Sequence, residues 1–119
     1  MVTREAIDAA LLAHGQWKKR LLDAISTGES EFRVNDVKRD DACQFGKWLY
    51  ALPSEDKNGE DFKTVKSLHA DFHKVAGEIL ELAMAGKKQE ALKKMEYDSH
   101  YGDAAGKLVV ALQRWKAKL

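Results

Sequence analysis

Residues 60–85 read EDFKTVKSLHADFHKVAGEILELAMA, and this stretch decides the fold. Its apolar residues return every three or four positions, which is the period of one face of an α-helix. We therefore predict a helix that begins at Gly59 or Glu60 and ends at Ala85, with Gly86 as its stop signal. The inward stripe of this helix is predicted to consist of Phe62, Val65, His69, Phe72, Ala76, Ile79 and Ala83.

A second amphipathic helix is predicted upstream, over residues 4–25. Thr3 is a candidate N-cap, because its hydroxyl can accept a hydrogen bond from a free N–H of the first turn. The inward stripe is predicted to contain Ile7, Leu11, His14, Trp17 or Lys18, Leu21 and Ile25. Residues 26–30, STGES, break this period and predict a solvated loop. A long connection follows, in which Phe32, Val34 and Val37 are expected to contact the interior.

Two further helices are predicted downstream of that connection. The first is short, covers residues 41–51 and ends before Pro53, and Cys43 would lie in its first turn. Its inward residues are predicted to be Phe45, Trp48, Leu49 and Leu52. The second covers residues 88–118. Its inward residues are predicted to be Leu92, Met95, Gly102, Ala105, Val109 and Leu112, flanked by Leu108 and Trp115.

This pattern predicts an all-α fold, an antiparallel four-helix bundle with one short extra helix that carries Cys43, in a single domain over residues 1–119. The composition, 45% hydrophobic and 33% charged, is typical of amphipathic helices. A net charge of +1 provides no field to attract nucleic acid or anionic lipid. The sequence shows neither a signal peptide nor an apolar stretch long enough for membrane insertion, so we expect a cytoplasmic protein.

The histidines and the single cysteine predict a metal site. His69 and His73 form an H-x-x-x-H pair, whose imidazoles project side by side from one helix. The pair alone is a weak signal, but His14 and Cys43 occupy inward positions on two other predicted helices. Burying three imidazoles and a thiol without partners would cost about 1–3 kcal/mol for each unsatisfied group. We therefore predict that these four side chains share one metal ion.

Zinc suits this ligand set, because it accepts nitrogen and sulfur donors in a tetrahedron, whereas hard ions prefer oxygen. Four protein ligands leave no open position for a catalytic water, so we predict that the chain is not an enzyme. A di-iron site needs a carboxylate three residues before each histidine, and those positions hold Leu11, Lys66, Ala70 and Tyr97. Haem attachment needs a second cysteine. Carboxylates that could orient an imidazole are Asp40, Asp41 and Asp71.

Three strings carry a family resemblance: HGQW at residues 14–17, CQFGKW at residues 43–48 and HADFH at residues 69–73. In their order and spacing they resemble the signature of the bacterial chemoreceptor zinc-binding (CZB) domain, and the resemblance covers nearly the whole chain. It implies that His14, Cys43, His69 and His73 bind one zinc ion. It also implies a homodimer that is attached to a chemoreceptor signalling region or to a diguanylate cyclase.

The resemblance implies a regulatory or sensory function in chemotaxis or cyclic-di-GMP signalling, through a partner in cis or in trans. Two signals fit the ligand chemistry. Oxidation of the Cys43 thiolate, for example by hypochlorous acid, would weaken its bond to zinc and release the short helix. Alternatively, zinc occupancy itself would shift the bundle between two packings. A third hypothesis is that zinc is permanent and the domain serves only as a dimerisation or docking module.

Overall fold

The computed structural model describes residues 2–96 and 100–119, and this part of the chain folds into helices without a β-strand. The all-α prediction is therefore confirmed. In chain order the helices are α1 Arg4–Thr27, α2 Val34–Val37, α3 Gln44–Tyr50, α4 Ser54–Lys57, α5 Glu60–Met84, α6 Lys88–Met95 and α7 His100–Ala117.

Helix α1 has the N-terminus that the sequence predicts. The Thr3 hydroxyl accepts a hydrogen bond of 3.1 Å from the Ala6 N–H. The helix continues two residues beyond the predicted end at Ile25, to Thr27. It ends at Gly28, whose left-handed backbone (φ 75°) lets its N–H donate to the Ala24 carbonyl at 2.7 Å.

Helix α5 also agrees with its prediction. It begins at Glu60 and ends at Met84, and Gly86 follows in a left-handed conformation (φ 78°). The Lys87 N–H then donates to the Leu82 carbonyl at 2.9 Å, which satisfies one of the last free carbonyls of the helix. Every residue of the predicted inward stripe is buried: Phe62, Val65, His69, Phe72, Ala76, Ile79 and Ala83.

The single helix predicted over residues 88–118 is wrong. Helix α6 ends at Met95, and the backbone of Glu96 is extended (φ −62°, ψ 151°). Residues 97–99, including Tyr97, lie outside the described residues, and α7 begins at His100. Leu92 before the break and Val109 after it, both predicted to face inward, are 46% and 37% exposed. The buried residues of α6 and α7 are Ala91, Met95, Tyr101, Ala104, Leu108, Ala111, Leu112 and Trp115.

Contacts between helix ends show how the long helices run. Lys116 near the end of α7 pairs with Asp8 near the start of α1 at 2.6 Å. Lys118 pairs with Asp61 at the start of α5 at 2.8 Å. Helix α7 is therefore antiparallel to both α1 and α5, while α1 and α5 run in the same direction. The connection of residues 28–59, which contains α2, α3 and α4, returns the chain to the end where α1 began.

This connection covers one side of the pair formed by α1 and α5. Val37 of α2 and Leu49 of α3 are 3% and 0% exposed, so the connection contributes to the shared core. Helix α5 contacts α1, α2, α4, α6 and α7, which makes it the central helix. Among the helices of the described ranges, none combines the length and apolar character that crossing a membrane requires.

Candidate metal centre

The structure brings the four predicted ligand residues together. His14 comes from the middle of α1, Cys43 precedes α3, and His69 and His73 lie one turn apart on α5. One ligand atom from each side chain lies within 4.8 Å of the ligand atoms of the other three. His14, His69 and His73 lie near the middles of their helices and contact one another, so the middles of α1 and α5 lie at the same level, and the returning connection delivers Cys43 there.

The two histidines of α5 form the centre of this cluster. Their Nε2 atoms are 3.0 Å apart, and the Cys43 Sγ lies 3.3 Å from the Nε2 of His69. The His14 ring meets both of them edge to face, with ring centroids 4.9 Å from His69 and 5.6 Å from His73. The four side chains therefore face one point instead of packing as separate core residues.

Backbone carbonyls orient two of the imidazoles. The Nδ1–H of His14 donates to the Ala10 carbonyl at 2.8 Å, and the Nδ1–H of His73 donates to the Val37 carbonyl at 2.9 Å. A carbonyl oxygen only accepts, so the proton of each neutral ring resides on Nδ1, and Nε2 carries the lone pair that faces the cluster. Hydrogen bonds of this kind fix the orientation of metal-binding histidines.

The carboxylates suggested for this orienting role make other contacts. The Asp40 carboxylate accepts a hydrogen bond of 2.8 Å from the Tyr50 hydroxyl. Asp41 pairs with Arg39 at 3.0 Å, and Asp71 is exposed. The suggestion that they orient the imidazoles is therefore wrong for Asp40 and Asp41, whose hydrogen bonds point elsewhere. The carbonyls that replace them could not be identified from the sequence, because every residue has one.

Cys43 lies at the N-cap of α3, one position before the first turn in which it was predicted. Its Sγ accepts a hydrogen bond of 3.3 Å from the Gly46 N–H. Burial nevertheless raises the pKa of the Cys43 thiol, and the N–H groups of the helix end lower it by less. The helix end alone therefore does not produce a thiolate at neutral pH, and a bound cation is needed to favour that form.

Burial has the opposite effect on the histidines. It lowers the pKa of His14 to about 4 and that of His69 to about 2, and it also lowers the pKa of His73. The close approach of the imidazoles to one another lowers the values for His14 and His69 further, because two neighbouring rings resist carrying charge together. At neutral pH the three rings are thus uncharged, which is the form that binds a metal.

The donor set fits zinc. Tetrahedral zinc binds nitrogen at about 2.0–2.1 Å and sulfur at about 2.3 Å, which places neighbouring donors roughly 3.3–3.6 Å apart. The 3.0 Å and 3.3 Å separations between donors are close to that spacing. Two buried nitrogens, His14 Nε2 and His69 Nδ1, have no hydrogen-bond partner in the described part of the chain. The lone pair of His14 Nε2 would find its partner in a bound cation.

Comparison with known proteins gives one match. The family model described as chemoreceptor zinc-binding domain matches residues 14–80, which is more than half of the 119-residue chain. The matched segment begins at His14 and includes Cys43, His69 and His73. No curated protein and no solved structure matches the chain.

Proposed function

We propose that this chain, which belongs to the chemoreceptor zinc-binding domain family, is a sensory domain that binds one zinc ion through His14, Cys43, His69 and His73. The observation that carries the proposal is the convergence of four ligand atoms within 4.8 Å inside the helical core. Zinc, when bound, would supply the positive charge that keeps Cys43 in its thiolate form. The signal is read at that sulfur and passed to a chemotaxis or cyclic-di-GMP signalling partner.

An oxidant such as hypochlorous acid is the signal that the geometry favours. Cys43 is half-buried, whereas His14, His69 and His73 are 6%, 0% and 1% exposed. A cavity of about 350 Å³ lies beside the cluster. Its lining includes the candidate ligands His14, Cys43 and His73 together with the aromatic residues Trp17 and Phe32. A small molecule can therefore reach the sulfur without unfolding the domain.

The chemical step is a two-electron oxidation of sulfur. The Cys43 thiolate and hypochlorous acid give a sulfenic acid and chloride, so sulfur is oxidised, chlorine is reduced and no proton is left over. A sulfenic acid is a weaker metal ligand than a thiolate. Oxidation also changes the atom that accepts the Gly46 N–H at the start of α3. We therefore expect α3 to loosen from the core, beginning at its N-terminal turn.

We also propose that the chain forms a homodimer. Large apolar side chains are exposed on the outer faces of α1 and α7, with Leu12 68%, Val109 37% and Val110 47% exposed. Such side chains supply apolar surface for pairing two copies. Sedimentation of the zinc-loaded protein tests this, since a sedimentation coefficient that stays at the monomer value across concentration would contradict the dimer.

The sensory proposal is tested by oxidant titration of the zinc-loaded protein. We expect about one zinc per chain in the parent. One equivalent of hypochlorous acid should release that zinc and lower the helix content measured by circular dichroism. Met84, which is 47% exposed, is a competing target of the oxidant, so Met84→Leu is the matched control and should respond like the parent.

Three other results of these experiments would each contradict a specific part of the proposal. If the parent and the His14→Ala and Cys43→Ala variants hold equal zinc, the ligands have been misassigned. If zinc and helix content both survive the oxidant, the ion is a structural element and the domain is a docking module. If the oxidant has no effect but zinc removal alters partner binding, the signal is zinc itself.

A further inference from the structure

Gly77 is an unexpected residue in the interior of the 25-residue helix α5. Apart from proline, glycine is the residue that a helix interior tolerates least. Gly77 is nevertheless buried, and it lies one turn after His73. His69, His73, Gly77 and Glu81 follow one another at intervals of four residues, so they form one row along a single face of α5.

The chain segment of residues 37–41, which we call the strap, lies directly on this row. A Cβ atom at Gly77 would overlap the Cγ of Lys38 and would lie only 3.2 Å from the Lys38 backbone nitrogen. The Lys38 side chain crosses the glycine, and its Nζ pairs with the Glu81 carboxylate at 2.8 Å. The absence of a side chain at Gly77 thus allows the strap to approach the helix backbone.

Both ends of the strap contact groups that hold the metal ligands. At one end, the Val37 carbonyl accepts the hydrogen bond from His73 Nδ1–H. At the other end, the Asp40 carbonyl packs against Gly46 of α3, where a Cβ atom would overlap it. The N–H of that same Gly46 donates to the Cys43 Sγ. The strap therefore connects the surroundings of His73 to those of Cys43.

We infer that Gly77 is a positioning residue of the metal centre, which acts through the strap and the Val37 carbonyl on His73. This inference rests on the proposed zinc site. A side chain at Gly77 would overlap the Lys38 side chain and press on the Lys38 backbone, which displaces the strap, weakens the hydrogen bond from His73 Nδ1–H to the Val37 carbonyl and leaves the imidazole less firmly oriented. Loss of such an orienting hydrogen bond typically lowers metal affinity by about 10–100-fold.

The test compares Gly77→Ala with Gly106→Ala and with the double variant Gly77→Ala/Lys38→Ala. Gly106 is a helical glycine on α7, and a Cβ atom there would meet no other described segment of the chain within 4 Å. Its substitution therefore reports only the general effect of alanine in a helix. The double variant removes the Lys38 Cγ that a new Cβ would meet. We measure zinc affinity by competition with a chelator, and we follow the His73 Nδ1–H proton by NMR in the metal-free protein.

We expect zinc affinity to fall about 10–100-fold in Gly77→Ala, to recover most of that loss in the double variant, and to stay at the parent value in Gly106→Ala. The slowly exchanging Nδ1–H signal of His73 should disappear in Gly77→Ala and return in the double variant. The NMR readout needs no metal. If the parent binds no zinc, the proposed function fails, whereas the His73 signal still decides the role of Gly77.

Two results would overturn the inference. In one, Gly77→Ala keeps both the zinc affinity and the His73 Nδ1–H signal of the parent. In the other, Gly77→Ala loses affinity while the His73 signal is unchanged, which would mean that the glycine acts by packing and not by orienting the imidazole. If Gly77→Ala fails to fold, zinc affinity and the His73 Nδ1–H signal are measured in the double variant instead. Loss of the His73 signal in the folded double variant would contradict the expected recovery.

Discussion

The buried face of α5 contributes to two different regions of the protein interior. We call them the apolar interior and the polar interior. In the C-terminal half of the helix, Ile79 and Leu80 are 0% and 1% exposed and pack in the apolar core. In the middle, His69 and His73 are also 0% and 1% exposed, but they face His14 and Cys43. Within the described residues, the buried side-chain atoms without a hydrogen bond are nitrogens of the polar interior, on His14 and His69.

The difference shows that burial alone does not identify what stabilises a region. The apolar interior is stabilised by the burial itself, because its side chains leave water for a close-packed surrounding. The polar interior loses hydrogen bonds to water on folding and regains only some of them within the protein. Substitutions in the apolar interior should therefore change folding stability, while those in the polar interior should change the binding of an ion.

The largest effect is expected from His69→Leu, a test of the polar interior. We expect zinc affinity to fall at least about a thousandfold, or about 4 kcal/mol, because one of four donors is lost. Metal-free stability should stay within about 1 kcal/mol of the parent, because removing the unpartnered buried Nδ1 and adding apolar volume offset the loss of the Nε2 contacts with Cys43 and His73. Chelator competition and urea unfolding measure the two quantities. If His69→Leu binds zinc with the affinity of the parent, the polar interior does not differ from the apolar one in the way described.

The second effect concerns the apolar interior. Ile79→Ala should lower the free energy of unfolding by about 3 kcal/mol, because Ile79 is 0% exposed and its removal leaves a cavity. The loss should be equal in the zinc-loaded and metal-free proteins, and zinc affinity should not change. Leu92→Ala, at a side chain that is 46% exposed and lies outside the proposed dimer surface, is the control and should remain within about 0.5 kcal/mol. A selective loss of zinc affinity in Ile79→Ala would show that the interiors are coupled.

The third effect is a pH dependence that separates the interiors without a substitution. His14 and His69 have pKa values lowered to about 4 and about 2 from 6.5, so below pH 6.5 the unfolded chain binds protons that the folded chain does not. Stability of the metal-free protein must then decrease as the pH falls. Between pH 7 and 5.5 the two histidines should together account for a loss of about 2.5 kcal/mol. Urea unfolding at each pH measures this, and His69→Leu should show about half the loss.

The smallest effect is expected from a surface ion pair, which gives the size of stability change that involves neither interior. Lys19 and Asp23 form an ion pair of 3.8 Å on the surface of α1, with side chains 86% and 66% exposed. Removing the pair by Asp23→Ala should change stability by less than about 0.5 kcal/mol and leave zinc affinity unchanged. A larger change in urea unfolding would mean that surface charges contribute to the differences attributed to the interiors.

Much of this arrangement could be predicted from the sequence because it depends on periodicity. The stripe of α5 follows from local spacing, and the start of α1 and the end of α5 follow from the single residues Thr3 and Gly86. The convergence of His14, Cys43, His69 and His73 followed from their inward positions. The break at Glu96 was missed, because a periodic pattern carried across it places Leu92 and Val109 inward without any sign that the helix ends.

Other features could not be read from residue types. The carbonyls of Ala10 and Val37 orient two imidazoles, yet a carbonyl carries no sequence signature. The shared direction of α1 and α5 depends on the path of the whole connection of residues 28–59, which has little periodicity of its own. The sequence places Gly77 inside the predicted helix, but only the contact with Lys38 in the structure shows why a glycine is needed there.

The spacing of His69 and His73 along one helix has a consequence for the order of assembly. Two of the four donors are brought together by local structure in α5, whereas His14 and Cys43 arrive only when distant segments dock. Helix α5 alone therefore offers a two-point chelate before the tertiary structure is complete. Zinc should then bind and dissociate in stages. During dissociation Cys43, the donor outside α5 that is most open to solvent, should detach first, and the two imidazoles of α5 should detach last.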